Sequence, residues 1–274
     1  MNLLNPARFF LFSRILTLSA VLTACAPDSP HTSSNPGTEP LSDDSSIVHG
    51  KNVKEKSELS RSVVALVSTR QDGQAVCTGT ILAEDMVLTA AHCVEGQPQK
   101  ISVVFGNQVH LAKPESIRNV ESFIQNPLWH HPSEKGQGDL AIVHFLGKLP
   151  TGYQAVKLAS DDFKLFSGQE VQIIGYGVTN GLSHLGAGVL RQAQTTVIGQ
   201  KTKSEIITDG RLSSVCFGDS GGPAFTQVDG NFTQWGIASS VKNQACNQSS
   251  VHTAVMGYKK WILASMQKLR KFGK

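Results

Sequence analysis

The sequence predicts an all-β protein that ends in a single helix. Short apolar, β-branched runs recur from Ser62 onward, turn-forming residues separate them, and no helical periodicity intervenes. The first group of runs is Ser62–Ser68, Val76–Leu82, Met86–Thr89, Ile101–Phe105 and Leu140–Phe145. A turn region at Leu149–Gly152 follows. The second group is Ala155–Leu158, Glu170–Ile174, Leu190–Val197, Glu205–Thr208, Pro223–Thr226, Phe232–Ile237 and Val251–Val255. Strands this short and this evenly spaced belong to a sandwich or a barrel. The helix is terminal: Ile262, Met266 and Leu269 fall at i, i+4 and i+7, and cations gather in the last turn, where the helix dipole favours them.

The N-terminus follows other rules. Arg8 and Arg14 flank an apolar start, and Ile15–Leu22 is too short to span a bilayer, so residues 1–24 read as a secretory signal peptide. The segment Leu22-Thr23-Ala24-Cys25 resembles the lipobox of bacterial lipoproteins. That resemblance implies a lipid on Cys25 as the first mature residue, and Ala26 after it implies outer-membrane sorting. Residues 25–46 are rich in Pro, Ser, Asp and Thr and have too little apolar surface to offset the entropy of ordering, so they read as a flexible pro-segment or tether. Five cysteines is an odd number for an exported chain. With Cys25 set apart, Cys77, Cys93, Cys216 and Cys246 remain; four cysteines allow three pairings, and an oxidising compartment suits disulfides. The net charge of +4 is mild, and basic residues are scattered apart from Lys268, Arg270, Lys271 and Lys274. Nothing resembles a nucleic-acid stripe or a membrane span, so membrane association is expected only through a lipid on Cys25.

The chemistry concentrates in Cys216-Phe217-Gly218-Asp219-Ser220-Gly221-Gly222-Pro223. A serine hydroxyl is a weak nucleophile near neutral pH and needs a base beside it. It also needs backbone N–H donors aimed at the oxyanion, and glycines allow that approach. Gly218 and Ser220 can supply two such donors. The pattern Gly218-x-Ser220-x-Gly222 also matches the nucleophile elbow of α/β-hydrolases, but that fold needs a strand–turn–helix at the serine and the order Ser, acid, His. Here the serine comes last and Gly221-Gly222-Pro223 leads into a strand-like run.

Upstream stand Thr89-Ala90-Ala91-His92-Cys93 and Asp139-Leu140-Ala141-Ile142. With the serine segment they resemble, in order, the motifs of the chymotrypsin/trypsin family of serine proteases. The likeness extends to Ile47-Val48-His49-Gly50, Gly175-Tyr176-Gly177 and Gly236-Ile237-Ala238-Ser239. The family implies two six-stranded antiparallel β-barrels with the active site between them. That places one barrel at about 47–152, a second at about 153–256 and the helix at about 257–272. It implies a triad in which His92 takes the proton of Ser220 and Asp139 orients the imidazole. It pairs Cys77 with Cys93 and Cys216 with Cys246. His110, His130, His131, His144 and His184 default to structural or surface roles.

The family also implies activation. A new α-amino group on Ile47 would pair with Asp219 and order the Gly218 loop. Ser46 precedes Ile47 where Arg or Lys is usual, so the activating cleavage is expected from another protease or from self-cleavage suited to small residues. By the same alignment Ser214 falls at the base of the primary specificity pocket, where trypsin-like members carry Asp. Val241 falls where deep-pocket members have Gly, with Ser250 opposite it. Ser239 and Ser240 would line the strand that pairs with substrate. A shallow site for small or medium apolar residues follows. Peptide or protein substrates and an activating protease are the expected partners. No cofactor is expected, and no metal-ligand spacing is visible. Two rivals are a catalytically dead binding relative and an esterase using the same machinery; an intact triad and a cleft for extended chains weigh against each.

Overall fold

The computed structural model describes residues 47–71, 73–96, 98–130 and 137–272. The expected signal peptide, Cys25, the tether, His131 and Lys274 lie outside the described residues.

After the two-residue strand β1 (Lys51–Asn52) come β2 (Val63–Arg70), β3 (Gly73–Ala83), β4 (Met86–Thr89), β5 (Lys100–Val104), β6 (Ile117–Gln125) and β7 (Ala141–Phe145). Strands β2 to β7 pair antiparallel in the order β2-β3-β4-β7-β6-β5, and β5 returns to β2 to close a barrel. The period-two alternation of strands explains its walls. Val64, Leu66, Ile81, Val87, Val103, Val143 and Phe145 form one buried cluster. Their neighbours on the other face, among them Val63, Ala65 and Val104, pack with Ile174, Tyr176, Leu190 and Phe225 of the second barrel.

That second barrel uses β9 (Glu170–Gly175), β10 (Arg191–Thr202), β11 (Glu205–Asp209), β12 (Pro223–Val228), β13 (Asn231–Val241) and β14 (Ser249–Ala254). Pairing runs β9-β10-β11-β14-β13-β12 and back to β9, again antiparallel throughout. The short β8 (Lys157–Leu158) adds to β13 in parallel, and β1 adds to β10. Two closed six-stranded barrels are therefore the fold, as expected. Val48 bridges to Ser214, so the chain from Ile47 to Asn52 attaches to the second barrel although it precedes the first in sequence.

One strand of the first barrel, β6, is absent from the sequence-based expectation. Arg118, Asn119, Glu121 and Ser122 interrupt its apolar residues, and no residue in it is fully buried. A strand half-wetted on both faces has no clear alternation to read.

Helix α1 (Lys259–Phe272) begins within two residues of the expected start. Ile262 and Leu269 are buried in a cluster that includes Met86, Leu88 and Ile142, the outward-facing residues of β4 and β7. The apolar stripe thus seals the outer wall of the first barrel, each such side chain contributing roughly 1.5–3 kcal/mol. Among the described residues no helix is long and apolar enough to cross a membrane.

Candidate active site

His92 sits on a 3-10 turn, Ala91–Val94, immediately after β4. Three ties hold that turn. Cys93 is bonded to Cys77 on β3. Thr89 Oγ1 donates to Thr78 O at 2.8 Å, and Gln125 Nε2 donates to Ala91 O at 2.9 Å. Asp139 lies just ahead of β7, fully buried. Its Oδ1 accepts the backbone N–H of His92 at 3.1 Å and its Oδ2 accepts His92 Nδ1–H at 2.8 Å. This bidentate grip fixes both the ring and its tautomer, with the proton on Nδ1 and Nε2 left free to accept.

Burial lowers the pKa of His92, but the hydrogen bond and charge of Asp139 and the charge of Glu95 outweigh it, so the group is raised above its ordinary value. A histidine acting as a base must be neutral to accept a proton, so in that role His92 is expected to make kcat/KM rise with pH through a value above that of an ordinary imidazole. Glu95 is held by Trp129 Nε1–H at 3.3 Å, and Trp129 itself lies against the His92 ring. Glu95→Gln is expected to move this acidic limb to lower pH, which a pH profile of kcat/KM will read. An unmoved limb would remove Glu95 from the site.

Ser220 lies in the loop that precedes β12, with Gly221 and Gly222 between it and the start of the strand at Pro223. Its carbonyl accepts Thr78 N–H at 2.8 Å, and Gly221 N–H donates to Ala238 O at 2.8 Å. A side chain at Gly221 would collide with Thr78 O, Thr89 Oγ1 and Ala90 N, so the close approach of the barrels requires glycine there. Gly218 has φ +98°, a region that glycine enters freely. Ser220 and His92 line the same cleft. Their side chains do not hydrogen-bond to each other among the described residues; in free enzymes such bonds are commonly long and tighten with substrate.

Asp219, next to the serine, is fully buried. Burial pushes its carboxyl up to about 7, against the hydrogen bonds from Cys216 N–H and Gly177 N–H and the charge of Arg191. Those two bonds measure 2.8 and 2.7 Å. A Cβ on Gly175 or Gly177 would strike this carboxylate, which is the physical reason for the Gly175-Tyr176-Gly177 pattern. Ile47 is fully buried and carries φ +47°, a strained value for a β-branched residue.

The cleft beside Ser220 is bounded by Val215, Cys216, Phe217, Ala238, Ser239, Ser240 and Val241 and encloses about 280 Å³, at the small end for a ligand site. Ser214 and Ser250 are not on its surface. Both are buried, with their Oγ atoms 2.8 Å apart. Ser214 spends its hydroxyl proton on Val215 O, so Ser250 is the donor between them. Ser250 pairs across the strands with Val241, which lines the cavity. Ser239 does more than line β13. Its Oγ donates to Asp139 Oδ2 at 2.6 Å, a contact 100 residues apart in sequence that no local pattern signals. Phe217, at the mouth, stacks on His184 at 4.9 Å.

Cys216 is bonded to Cys246, bracing this wall. His110, His130 and His184 are exposed, and His144 is buried between Asp85 and Glu121. His252 is sealed in the second barrel, bonded to Thr208 Oγ1, and burial pushes it down to about 4. Cys77, His92 and Cys93 lie close enough to share an ion, but both sulfurs are committed to their disulfide.

The family model described as Trypsin matches residues 47–262. Among curated proteins the chain is similar to "Chymotrypsin-like elastase family member 1" of Canis lupus familiaris, 30% identical over 206 residues that cover 68% of this chain and 79% of the relative. The protein of the same description from Homo sapiens is 28% identical over 207 residues, with 68% and 79% covered. That from Macaca fascicularis is 29% identical, with 68% and 77% covered.

Proposed function

The chain belongs to the trypsin family and is a chymotrypsin-like serine endopeptidase, and on that premise we propose that Ser220, His92 and Asp139 are its catalytic triad. The single observation that carries this is the double hydrogen bond of buried Asp139 to His92, with the ring's other nitrogen free in the cleft that holds Ser220.

In this reading Ser220 Oγ attacks the peptide carbonyl carbon while His92 Nε2 takes the hydroxyl proton. The carbonyl oxygen becomes an oxyanion and accepts from the N–H groups of Gly218 and Ser220. The carbon–nitrogen bond then breaks as His92 returns the proton to the leaving amine, leaving an ester on Ser220. Water adds to that ester through the same base, and its collapse frees the acid and restores the serine. Asp139 remains ionised and stabilises the imidazolium, with Ser239 as a further donor to its carboxylate.

The enzyme is made as a precursor and is activated by cleavage between Ser46 and Ile47. Two features support this. A buried carboxyl at Asp219 calls for a cation, and the α-amino group of Ile47 would supply one. The strained φ of Ile47 is the torsion that cleavage of this bond abolishes. The two disulfides lie within the domain, so the cut also parts it from any lipid on Cys25 of an exported, tethered precursor.

The preferred residue before the cut is small or medium and apolar. The uncharged Ser214–Ser250 pair, the projecting Val241 and the small cavity support this, as does the word elastase in the relatives' description. Val241→Gly is expected to raise kcat/KM for a Phe substrate relative to an Ala substrate by about 10-fold or more, the scale of a few methylenes in an apolar pocket. A panel of peptide anilides checks it. Best turnover after Arg or Phe in the unaltered enzyme would overturn the pocket assignment.

A further inference from the structure

Thr78, on β3 of the first barrel, is fully buried beside Cys77. Its side chain reaches into the second barrel. Oγ1 donates to Gly218 O at 2.9 Å and accepts Tyr176 N–H at 3.0 Å. Its own N–H donates to Ser220 O at 2.8 Å, and its carbonyl accepts Thr89 Oγ1, on the strand that leads to His92. One residue therefore holds the carbonyls on both sides of Asp219 and is joined to the strand beneath the histidine.

The consequence lies at Gly218. This residue has no side chain to anchor it and occupies φ +98°; of the two peptide planes that meet at its Cα, one is held through Phe217 O by Val178 N–H at 2.8 Å and the other through Gly218 O by the Thr78 hydroxyl. Its carbonyl and its N–H flank a single Cα, so pinning the carbonyl restricts the direction in which the N–H points. Tyr176 N–H holds the hydroxyl from the other side, so the Thr78 proton is directed at Gly218 O rather than shared.

We propose that Thr78 is a positioning residue for the oxyanion hole, its hydroxyl aiming Gly218 N–H at the developing charge from the opposite barrel. The proposal rests on the reading of Gly218 and Ser220 as the oxyanion donors. It separates the hydroxyl from the shape of the side chain: serine keeps the first, valine keeps the second, and alanine keeps neither.

The test uses the mature enzyme with Thr78→Ser, Thr78→Val and Thr78→Ala. The readouts are kcat and KM on a small-residue peptide anilide, and the affinity of a peptide boronic acid, whose tetrahedral adduct depends on the hole. The expected result is a fall in kcat of about 10- to 100-fold in the Val and Ala variants, with KM within about twofold, the scale of a misaimed donor. Boronate affinity falls in step with kcat, and the Ser variant stays within about threefold of the unaltered enzyme. A folded Val or Ala variant with unchanged kcat overturns the proposal, and so does a Ser variant that falls as far as they do. If the Val variant does not fold, the Ser and Ala variants decide. Failure of the underlying reading shows separately, as an unaltered mature enzyme whose Ser220 takes no fluorophosphonate label, and that result overturns both.

Discussion

Ser220→Ala is expected to lower kcat by about 10⁶-fold, or roughly 8 kcal/mol of transition-state stabilisation, with KM little changed. The size follows from the role. In the proposed mechanism the hydroxyl forms the bond to the carbonyl carbon, and without it the site would retain only binding and oxyanion donors. The same loss is expected for Ser220→Ala combined with His92→Ala, because a base without its nucleophile has nothing to deprotonate. Folding is expected to be spared. The contacts of Ser220 that tie the barrels are made by its backbone, its carbonyl to Thr78 N–H above all, and alanine keeps them. Steady-state kinetics beside a thermal melt check this. A Ser220→Ala enzyme that melts normally and keeps about 1% activity or more would show that another group attacks, since removal of the nucleophile leaves far less.

The second large effect concerns Asp219. In the activated enzyme Asp219→Asn is expected to lower kcat by at least about 10²- to 10³-fold, the cost of losing an oxyanion donor. Asparagine fills the space but would offer the proposed Ile47 α-amino group no charge, so the Gly218 loop would lose that anchor. In the uncut chain the same substitution has the opposite sign for stability. The buried carboxyl, raised to about 7 from 3.8, holds in the folded state a proton that the unfolded state has released. Stability from this group is therefore fully present below about pH 4 and is lost as pH rises toward 7, by about 4 kcal/mol in all. Asp219→Asn should flatten that decline in the precursor while inactivating the mature form. Melts of the precursor from pH 4 to 8, paired with activity of the mature enzyme, separate the two effects. An Asp219→Asn enzyme with normal activity would remove the ion pair from the account.

What the sequence discloses depends on where the constraint lies. The serine loop is legible because Gly218, Gly221 and Gly222 are imposed by a positive φ or a close approach within a few residues of the nucleophile. Most strands are legible because one face of each is dry. The exception, β6, wets both faces, and without it the first barrel cannot close. Contacts across long stretches of chain leave no local mark. Ser239 reaches Asp139 from the far barrel, and Thr78 reads only as a β-branched residue in a strand until Gly218 and Tyr176 are seen against its hydroxyl. The pocket falls between these cases. The pairing of Val241 with Ser250 is expected from the alignment and is found in the register of β13 and β14. The sealing of Ser214 beneath the floor is a matter of packing that alignment does not convey.

The most direct test of the proposed chemistry is fluorophosphonate labelling of the exported protein from soluble and membrane fractions, with identification of the labelled peptide and of the N-terminal residue. Label is expected on Ser220 alone, only in molecules that begin at Ile47, and none in Ser220→Ala. Folded protein that begins at Ile47 and takes no label would contradict the proposed chemistry.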